Sequence, residues 1–263
     1  MRASLPSTMM PFLQKLEARS QMTQVERQII LDLPFVPRHV QANQDFVQQG
    51  EEVTHSCFVL DGMVGTFGQN KRGERQITSV FLGGDMIDLN TVVVPQAIAD
   101  LQALTPTTIL QVPHSALRRA AAQFPAIAEA FWRECVIDAA ILNEWVMNVG
   151  RRDARSRLAH LLCEIACRSG RTRIEDGFSF PFPITQNQLA DMLGLTAVHV
   201  NRTLKGLRED RLVELVHRTV RILNWDRLTR IGEFDPTYLR LDGSDRACGT
   251  DITDSPQPMR MVQ

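Results

Sequence analysis

Residues 184–224, ITQNQLADMLGLTAVHVNRTLKGLREDRLVELVHRTVRILN, hold the densest set of side chains with directed hydrogen-bonding chemistry. Arg202 carries a planar guanidinium that donates two parallel hydrogen bonds to one acceptor edge, such as guanine O6 and N7. Asn201 pairs a donor with an acceptor and matches an adenine edge, and His199 is a further donor to a base or a phosphate. Ala197 and Val198 have no hydrogen-bonding group and suit only an apolar target such as the thymine methyl. Thr185, Gln186, Thr196, Lys205 and Arg218 are types that hold phosphate oxygens, which sets affinity and register rather than sequence. Any one of them alone reads equally as a solvated side chain on a surface helix. Only their joint spacing points to double-stranded DNA.

That spacing requires particular elements. Thr185 is an N-cap for a short helix whose Leu189, Ala190 and Leu193 face a core. Gly194 permits a tight turn. Thr196 caps a second helix with Val200, Leu204 and Leu207 inward, leaving Ala197, His199, Asn201, Arg202, Lys205 and Arg208 for other faces. Two short helices joined by a turn containing Gly make a helix-turn-helix, and LVELVHRTVRILN reads as a two-stranded wing with a polar tip. A second helix of this kind enters the major groove with its N-terminal residues at base edges. Its free N–H groups suit a phosphate.

The whole chain has 263 residues, a formal net charge of -1, 44% hydrophobic and 22% charged residues. That composition excludes a collagen-like or wholly disordered chain. Residues 151–230 hold 15 Lys and Arg against 9 Asp and Glu, a net of +6, whereas residues 1–150 carry a net of -4. A basic block in a near-neutral chain is the footprint of a polyanion-binding domain, although a solvated basic face gives the same count. No window has the ~18 uninterrupted apolar residues that a membrane helix needs. The start lacks an apolar h-region and an A-x-A-like site, so the expectation is a cytoplasmic protein with no membrane contact. The five cysteines, Cys57, Cys135, Cys163, Cys167 and Cys248, are odd in number and scattered, and make no disulfide framework. Cys163 and Cys167, four apart on a helix, read as small buried apolar residues. No nucleophile–base motif, phosphate-cradling Gly loop or metal-spaced His/Cys set occurs. No catalytic or metal-binding residue is assigned, and the protein is not read as an enzyme.

Upstream, residues 1–34 read as helical and peripheral, with a capping box from Thr23 to Glu26. From Val36 to Val112, short runs of β-branched and aromatic residues alternate with turn residues. CFVLDGMVGTFGQ reads as two strands around an Asp-Gly turn, ERQITSVFLGGD as another strand, and ALTPTTILQVP as a closing strand, together a small sandwich or barrel. A long helical stretch follows, broken once at Phe124-Pro125. One of its faces runs Ile127, Phe131, Glu134, Asp138, Ile141, Trp145, Asn148, with charges in the middle. A shifted face (Phe131, Cys135, Val136, Ala139, Leu142, Val146, Val149) is more apolar. A helix covered by its own domain on one side and by a partner on the other has this pattern, as does a long core helix in a monomer. RRDARSRLAHLLCEIACR is amphipathic. From Asp235 the chain is polar without apolar periodicity and reads as flexible.

In order and spacing, FVQQGEEVTHSCFVLDGMVGTF, GERQITSVFLGGDMIDL and TQNQLADMLGLTAVHVNRTLKGLREDRLV resemble the Crp/Fnr-type bacterial transcription regulators, over roughly residues 20–230. The resemblance implies an α+β protein with an N-terminal double-stranded β-roll (jelly-roll-like), a long dimerisation helix and a C-terminal winged helix-turn-helix. The boundaries follow as 1–34 for the N-terminal helical segment, 35–123 for a cyclic-nucleotide-binding-like sensor domain, 124–150 for the dimerisation helix, 151–232 for the DNA-binding domain and 233–263 for a polar tail. It implies a homodimer on a palindromic operator, with Phe131, Cys135, Asp138, Ile141, Leu142 and Trp145 in the dimer helix and recognition helices ~34 Å apart. RNA polymerase is a further partner that the family, rather than these residues, suggests.

The departures from the family are informative. Cyclic-nucleotide binders of this fold follow the Gly-Asp turn with Gly-Glu and then Arg-Ser or Arg-Thr. Here Gly84-Asp85 leads to Asp88 and Leu89, and Ala97 and Ile98 stand near the Arg-Ser position. Those five residues are the effector-pocket candidates. No Arg or Lys occurs between Arg75 and Arg118, and a buried phosphate needs a charge-assisted donor, so cyclic AMP is not expected. No cysteine precedes Cys57, which excludes an N-terminal four-Cys iron–sulfur cluster. Nothing supports haem, and no cofactor is expected. Two readings stay open: a regulator that binds DNA without an effector, and a sensor that needs a non-cyclic-nucleotide ligand or haem. In the recognition helix, Ala197 and Val198 replace the Arg or Glu that relatives often carry, while Arg202 is kept.

Overall fold

The computed structural model describes residues 8–169, 172–174 and 177–240. Its first helix, α1 (Met10–Glu17), buries Phe12, Leu13 and Leu16 on one face. The Phe12 ring lies 6.0 Å from that of Phe58 in the β-roll and 6.2 Å from that of Phe131 in the long helix. This corrects the expectation of a peripheral segment: α1 fills the gap between sheet and long helix, and such a buried aromatic contributes about 1.5–3 kcal/mol. The second helix, α2 (Gln24–Leu31), carries the expected capping box, with Thr23 Oγ1 accepting from the Glu26 N–H and the Thr23 N–H donating to Glu26 Oε2 at 2.7 Å.

Eight strands follow: β1 (Val36–Val40), β2 (Asp45–Val47), β3 (His55–Asp61), β4 (Met63–Gln69), β5 (Arg75–Leu82), β6 (Met86–Ile87), β7 (Asp100–Ala103) and β8 (Thr107–Pro113). They form two four-stranded antiparallel sheets, β1-β8-β3-β6 and β2-β7-β4-β5, wrapped as a roll around an apolar interior. The Asp61-Gly62 turn does not close a hairpin. β3 pairs with β8 and β4 with β5, so this turn carries the chain from one sheet to the other. Gly62 has φ +94°, and a Cβ there would lie 2.7 Å from the Pro106 carbonyl oxygen, which only glycine avoids.

Helix α3 (His114–Gln123) ends at Phe124, and Pro125 opens the 27-residue α4 (Pro125–Arg151), ~40 Å long. A single extended residue, Arg152, with Asp153 as N-cap, leads to α5 (Ala154–Arg168). Then come β9 (Thr172–Ile174), β10 (Gly177–Pro181), α6 (Gln186–Leu193), α7 (Ala197–Glu209), β11 (Val213–Val216), β12 (Thr219–Ile222) and α8 (Trp225–Gly232). The last sheet has the order β11-β12-β10-β9. Among the described residues no helix is long and apolar enough to cross a membrane. Cys163 is buried in the C-terminal core. Cys167 packs on that core and is disulfide-bonded, so it is not merely the small apolar residue its spacing suggests.

The wholly buried carboxylate of Glu164 joins these parts. It accepts from Trp145 Nε1 in α4 at 3.0 Å, from Arg168 Nη1 at 2.9 Å and from the Tyr238 hydroxyl at 2.8 Å. Tyr238 belongs to a 3-10 turn, Pro236–Leu239, in the stretch expected to be a flexible tail. Residues 233–240 are instead packed. Phe234 and Leu239 are buried, and Arg19 Nη2 donates to the Leu239 carbonyl at 3.1 Å. Three apolar side chains within six residues carry no periodicity, which is why the pattern missed them. Residues 241–263 lie outside the described residues. Burial, with Glu164 beside it, pushes the Tyr238 hydroxyl far above its ordinary range and keeps it a donor. Tyr238→Phe should therefore cost about 1–3 kcal/mol, read as a lower urea midpoint with an unchanged slope. An unaltered midpoint would show that this hydrogen bond adds nothing.

Candidate nucleic-acid interface

Helix α6 starts at a full capping box. Thr185 Oγ1 accepts from the Gln188 N–H at 3.2 Å, and the Thr185 N–H donates to Gln188 Oε1 at 2.8 Å. It ends at Gly194 in the left-handed region, φ +61°. The Thr196 hydroxyl then accepts from the His199 N–H at 3.2 Å and starts α7. Val200, Leu204 and Leu207 are buried, as the spacing predicts. Their burial leaves Val198, 77% exposed, in one strip with Asn201, Arg202 and Lys205, all exposed at i, i+3, i+4 and i+7. Ala197 and His199 are half-buried at the edges of the strip, and Ala197 packs on the core beneath. An exposed valine at the start of a solvent-facing helix has no reason in the packing of this chain.

Thr185, Gln186, Thr196 and Arg218 are exposed as well, and Lys205 is held 3.6 Å from Glu209. The wing β11–β12 closes on His217 and Arg218, at φ +47° and +63°. Two non-glycine residues with positive φ in a two-residue hairpin are uncommon. The turn is pinned by the Phe182 N–H, which donates to the Arg218 carbonyl at 2.7 Å. The sequence reading missed Gln188. Its side chain both caps α6 and donates to the Leu104 carbonyl at 2.8 Å and to Asn43 Oδ1 at 3.0 Å, tying α6 to the β-roll. The Thr-x-x-Gln capping pattern was the available signal for the first role, and no local pattern signals the second.

The six residues expected in the dimer helix divide by burial. Phe131, Ile141 and Trp145 are buried within their own chain. They belong to the face with charges in its middle, where Glu134 pairs with Arg19 at 2.7 Å. Cys135 and Asp138 are half-buried, and burial pushes the Asp138 carboxyl up to about 7. Only Leu142 of the six is exposed. It lies with Trp132 (66% exposed), Val136, Ala139 and Val146 on the shifted face.

The five effector-pocket candidates do not converge. Asp85 turns away from the roll, accepts from the Leu82 N–H at 2.7 Å and pairs with Lys15 and Arg168. Leu89 is buried in the cluster that contains Phe12, and Ile98 is exposed. Ala97 is buried in the interior of the roll among Val40, Phe46, Val47 and Cys57. Asp88 sits half-buried at φ +60°, with its carbonyl accepting from Thr91 Oγ1 at 2.6 Å.

Comparison with known proteins matches residues 37–124 to the cyclic nucleotide-binding domain and residues 156–231 to the Crp-like helix-turn-helix domain. The fumarate and nitrate reduction regulatory protein of Vibrio cholerae serotype O1 is 22% identical over 195 residues, 73% of this chain and 76% of that one. Regulatory protein HlyX of Actinobacillus pleuropneumoniae is 24% identical over 193 residues, 72% of this chain and 79% of its own. Among solved structures, FixK2 from Bradyrhizobium japonicum superposes with a TM-score of 0.69 at 22% identity, covering 76% of this chain and 98% of that one. The chain belongs to the Crp/Fnr family and is a transcription regulator with a DNA-binding helix-turn-helix.

Its β-roll does not fit the cyclic nucleotide that the domain family implies. Ala97, which the family pattern puts near its Arg-Ser position, is buried among apolar residues, and its methyl group cannot hold a phosphate. Burial, with the nearby Asp88 carboxylate, pushes the Cys57 thiol up to about 12. Burial likewise pushes the Asp88 carboxyl up to about 6. A carboxyl raised in the fold contributes stability at low pH that is lost as pH rises from about 4 through about 6. Asp88→Asn, which tolerates positive φ, should add about 2–3 kcal/mol at pH 8 and nothing at pH 4, measured by urea denaturation at both values. An equal gain at both would mean that Asp88 ionises normally.

Proposed function

We propose that this regulator acts in the cytoplasm as a homodimer on a palindromic operator, with α7 of each copy in one major groove, and that it needs no cyclic nucleotide. The observation that carries the reading is the strip of Val198, Asn201, Arg202 and Lys205, exposed along one line of a capped helix backed by α6. Arg202 donates to guanine O6 and N7, Asn201 meets an adenine edge, and Val198 meets a thymine methyl. Lys205, Thr185, Gln186, Thr196 and Arg218 hold phosphates. A cytosine partner preference is absent, because Ala197 and Val198 have no acceptor for the cytosine N4 amine. The dimer reading rests on Trp132, Val136, Ala139 and Val146. These recur on the solvent side of α4 at intervals of four, three and seven, the spacing of a coiled-coil seam. RNA polymerase remains a partner suggested by the family.

The test is a selection from random duplex DNA by the purified, ligand-free full chain. The expected product is a palindrome with one guanine per half-site. A folded dimer that enriches nothing would overturn the effector-independent reading. Arg202→Ala should cost about 1–3 kcal/mol and relax only that guanine, whereas an equal loss on all sequences would make Arg202 a phosphate contact. Val136→Glu with Val146→Glu should give a monomer by sedimentation. A dimer that survives both changes would place the seam elsewhere.

A further inference from the structure

The chain passes from the long helix to the DNA-binding unit through Arg152 and Asp153, with Arg152 in extended backbone at φ -81° and ψ 150°. A link this short does not by itself fix where α7 points; the core that α5 and α6 share with β5 and α4 seats the unit, and directed hydrogen bonds set its angle. Close to the link, Arg157 donates through Nε to the Arg152 carbonyl at 2.8 Å and through Nη1 to the Leu193 carbonyl at 2.9 Å. On α6, Gln76 Nε2 donates to the Met192 carbonyl at 3.1 Å and Gln188 Nε2 to the Leu104 carbonyl at 2.8 Å. The third restraint stands at the far end of α5, ~22 Å from the link. There the Arg168 side chain, 7% exposed, donates through Nη2 to the Val80 carbonyl of β5 at 2.6 Å and lies 3.3 Å from Asp85 Oδ2. Its Nη1 donates to Glu164 at 2.9 Å. Asp85 is held in turn by Lys15 of α1 and by the Leu82 N–H.

One buried guanidinium thus fastens the tip of α5 to β5 and to the turn after it. Leverage gives that position its weight. A slack of 1 Å at the end of a ~22 Å arm is about 3° of rotation, whereas the same slack beside the link allows several times more. A palindrome admits two recognition helices only at a set separation and on one side of the duplex. Freedom at the link is therefore freedom in the spacing between half-sites.

We propose that Arg168, with Asp85, is a positioning clamp that sets which operator spacing this regulator accepts. The proposal rests on the dimeric, palindrome-reading function above. The clamp touches no DNA. It acts by holding the recognition helices at one separation, and it shares its turn with the loop that begins at Asp88.

The experiment uses the full chain, with Arg168→Lys and Asp85→Asn singly and together. Arg168→Lys keeps the charge but cannot reach Val80, Asp85 and Glu164 at once. Asp85→Asn keeps an oxygen for the Leu82 N–H and removes the ion pair, so it decides the question if the arginine variant does not fold. Binding is measured to the selected palindrome with its spacer unchanged or altered by one or two base pairs, and to a single half-site. Two base pairs move a half-site by about 7 Å and turn it by about 70°. Wild type should lose ~10-fold or more on the altered spacers. The variants should bind all spacers within about threefold, keep wild-type affinity for the single half-site and remain dimers, and the double variant should be no more permissive than either single one. A merely structural role would lower the melting temperature and leave the spacer profile as it was, and that result overturns the clamp. A wild type indifferent to spacing would instead defeat the palindrome reading itself.

Discussion

The arrangement depends on a carboxylate without solvent. Glu164 is wholly buried, and a polar group there is tolerated only if its hydrogen-bonding capacity is filled. Its donors come from three places far apart in the chain: Trp145 on the long helix, Arg168 one turn further along α5, and Tyr238 after the last helix. Satisfying one carboxylate therefore brings together the helix that reaches the β-roll, the helix that begins the DNA-binding unit and the segment that ends the described chain. Arg168 then extends the set to Val80 and Asp85 in the roll. Removing any donor leaves a buried polar group short of a partner, so these elements hold their places jointly.

The DNA-binding face depends on what it does not have to do. Val200, Leu204 and Leu207 seat α7, and two N-caps with one left-handed glycine set its angle to α6. None of those tasks uses Val198, Asn201 or Arg202. Side chains free of structural duty are the ones left for the base contacts proposed above. The β-roll follows the opposite course. Ala97 and its apolar neighbours complete a packed core, and the Asp88 carboxyl is raised by burial. Charged groups meet instead at the turn after β5, where Asp85 faces Lys15 and Arg168.

Local chemistry made much of this legible in advance. Caps, the Gly194 turn and the inward leucines of residues 184–224 each depend on a few neighbouring residues, and all fell where the spacing put them. So did the Thr23–Glu26 box, the strand-rich middle and the break at Phe124-Pro125. The two faces of α4 were visible as well, in the charged-middle face and the shifted apolar one, but not which of them turned inward. Glu134 and Asp138 look like solvent residues until Arg19 is seen to pair with Glu134 and burial to raise the Asp138 carboxyl.

What the amino-acid order determined alone was therefore the identity of the elements, the helix-turn-helix and the side chains free to meet a base. These follow from hydrogen bonds and apolar spacing within a few residues. Only the tertiary structure decided that α1 is core, that Phe234, Tyr238 and Leu239 close the molecule, that Asp61-Gly62 joins two sheets and that Asp85 faces Arg168. Each of those is a contact between residues tens to hundreds of positions apart. Its strength comes from burial and from filling a distant partner's hydrogen-bonding capacity, and neither is written in the residues on either side.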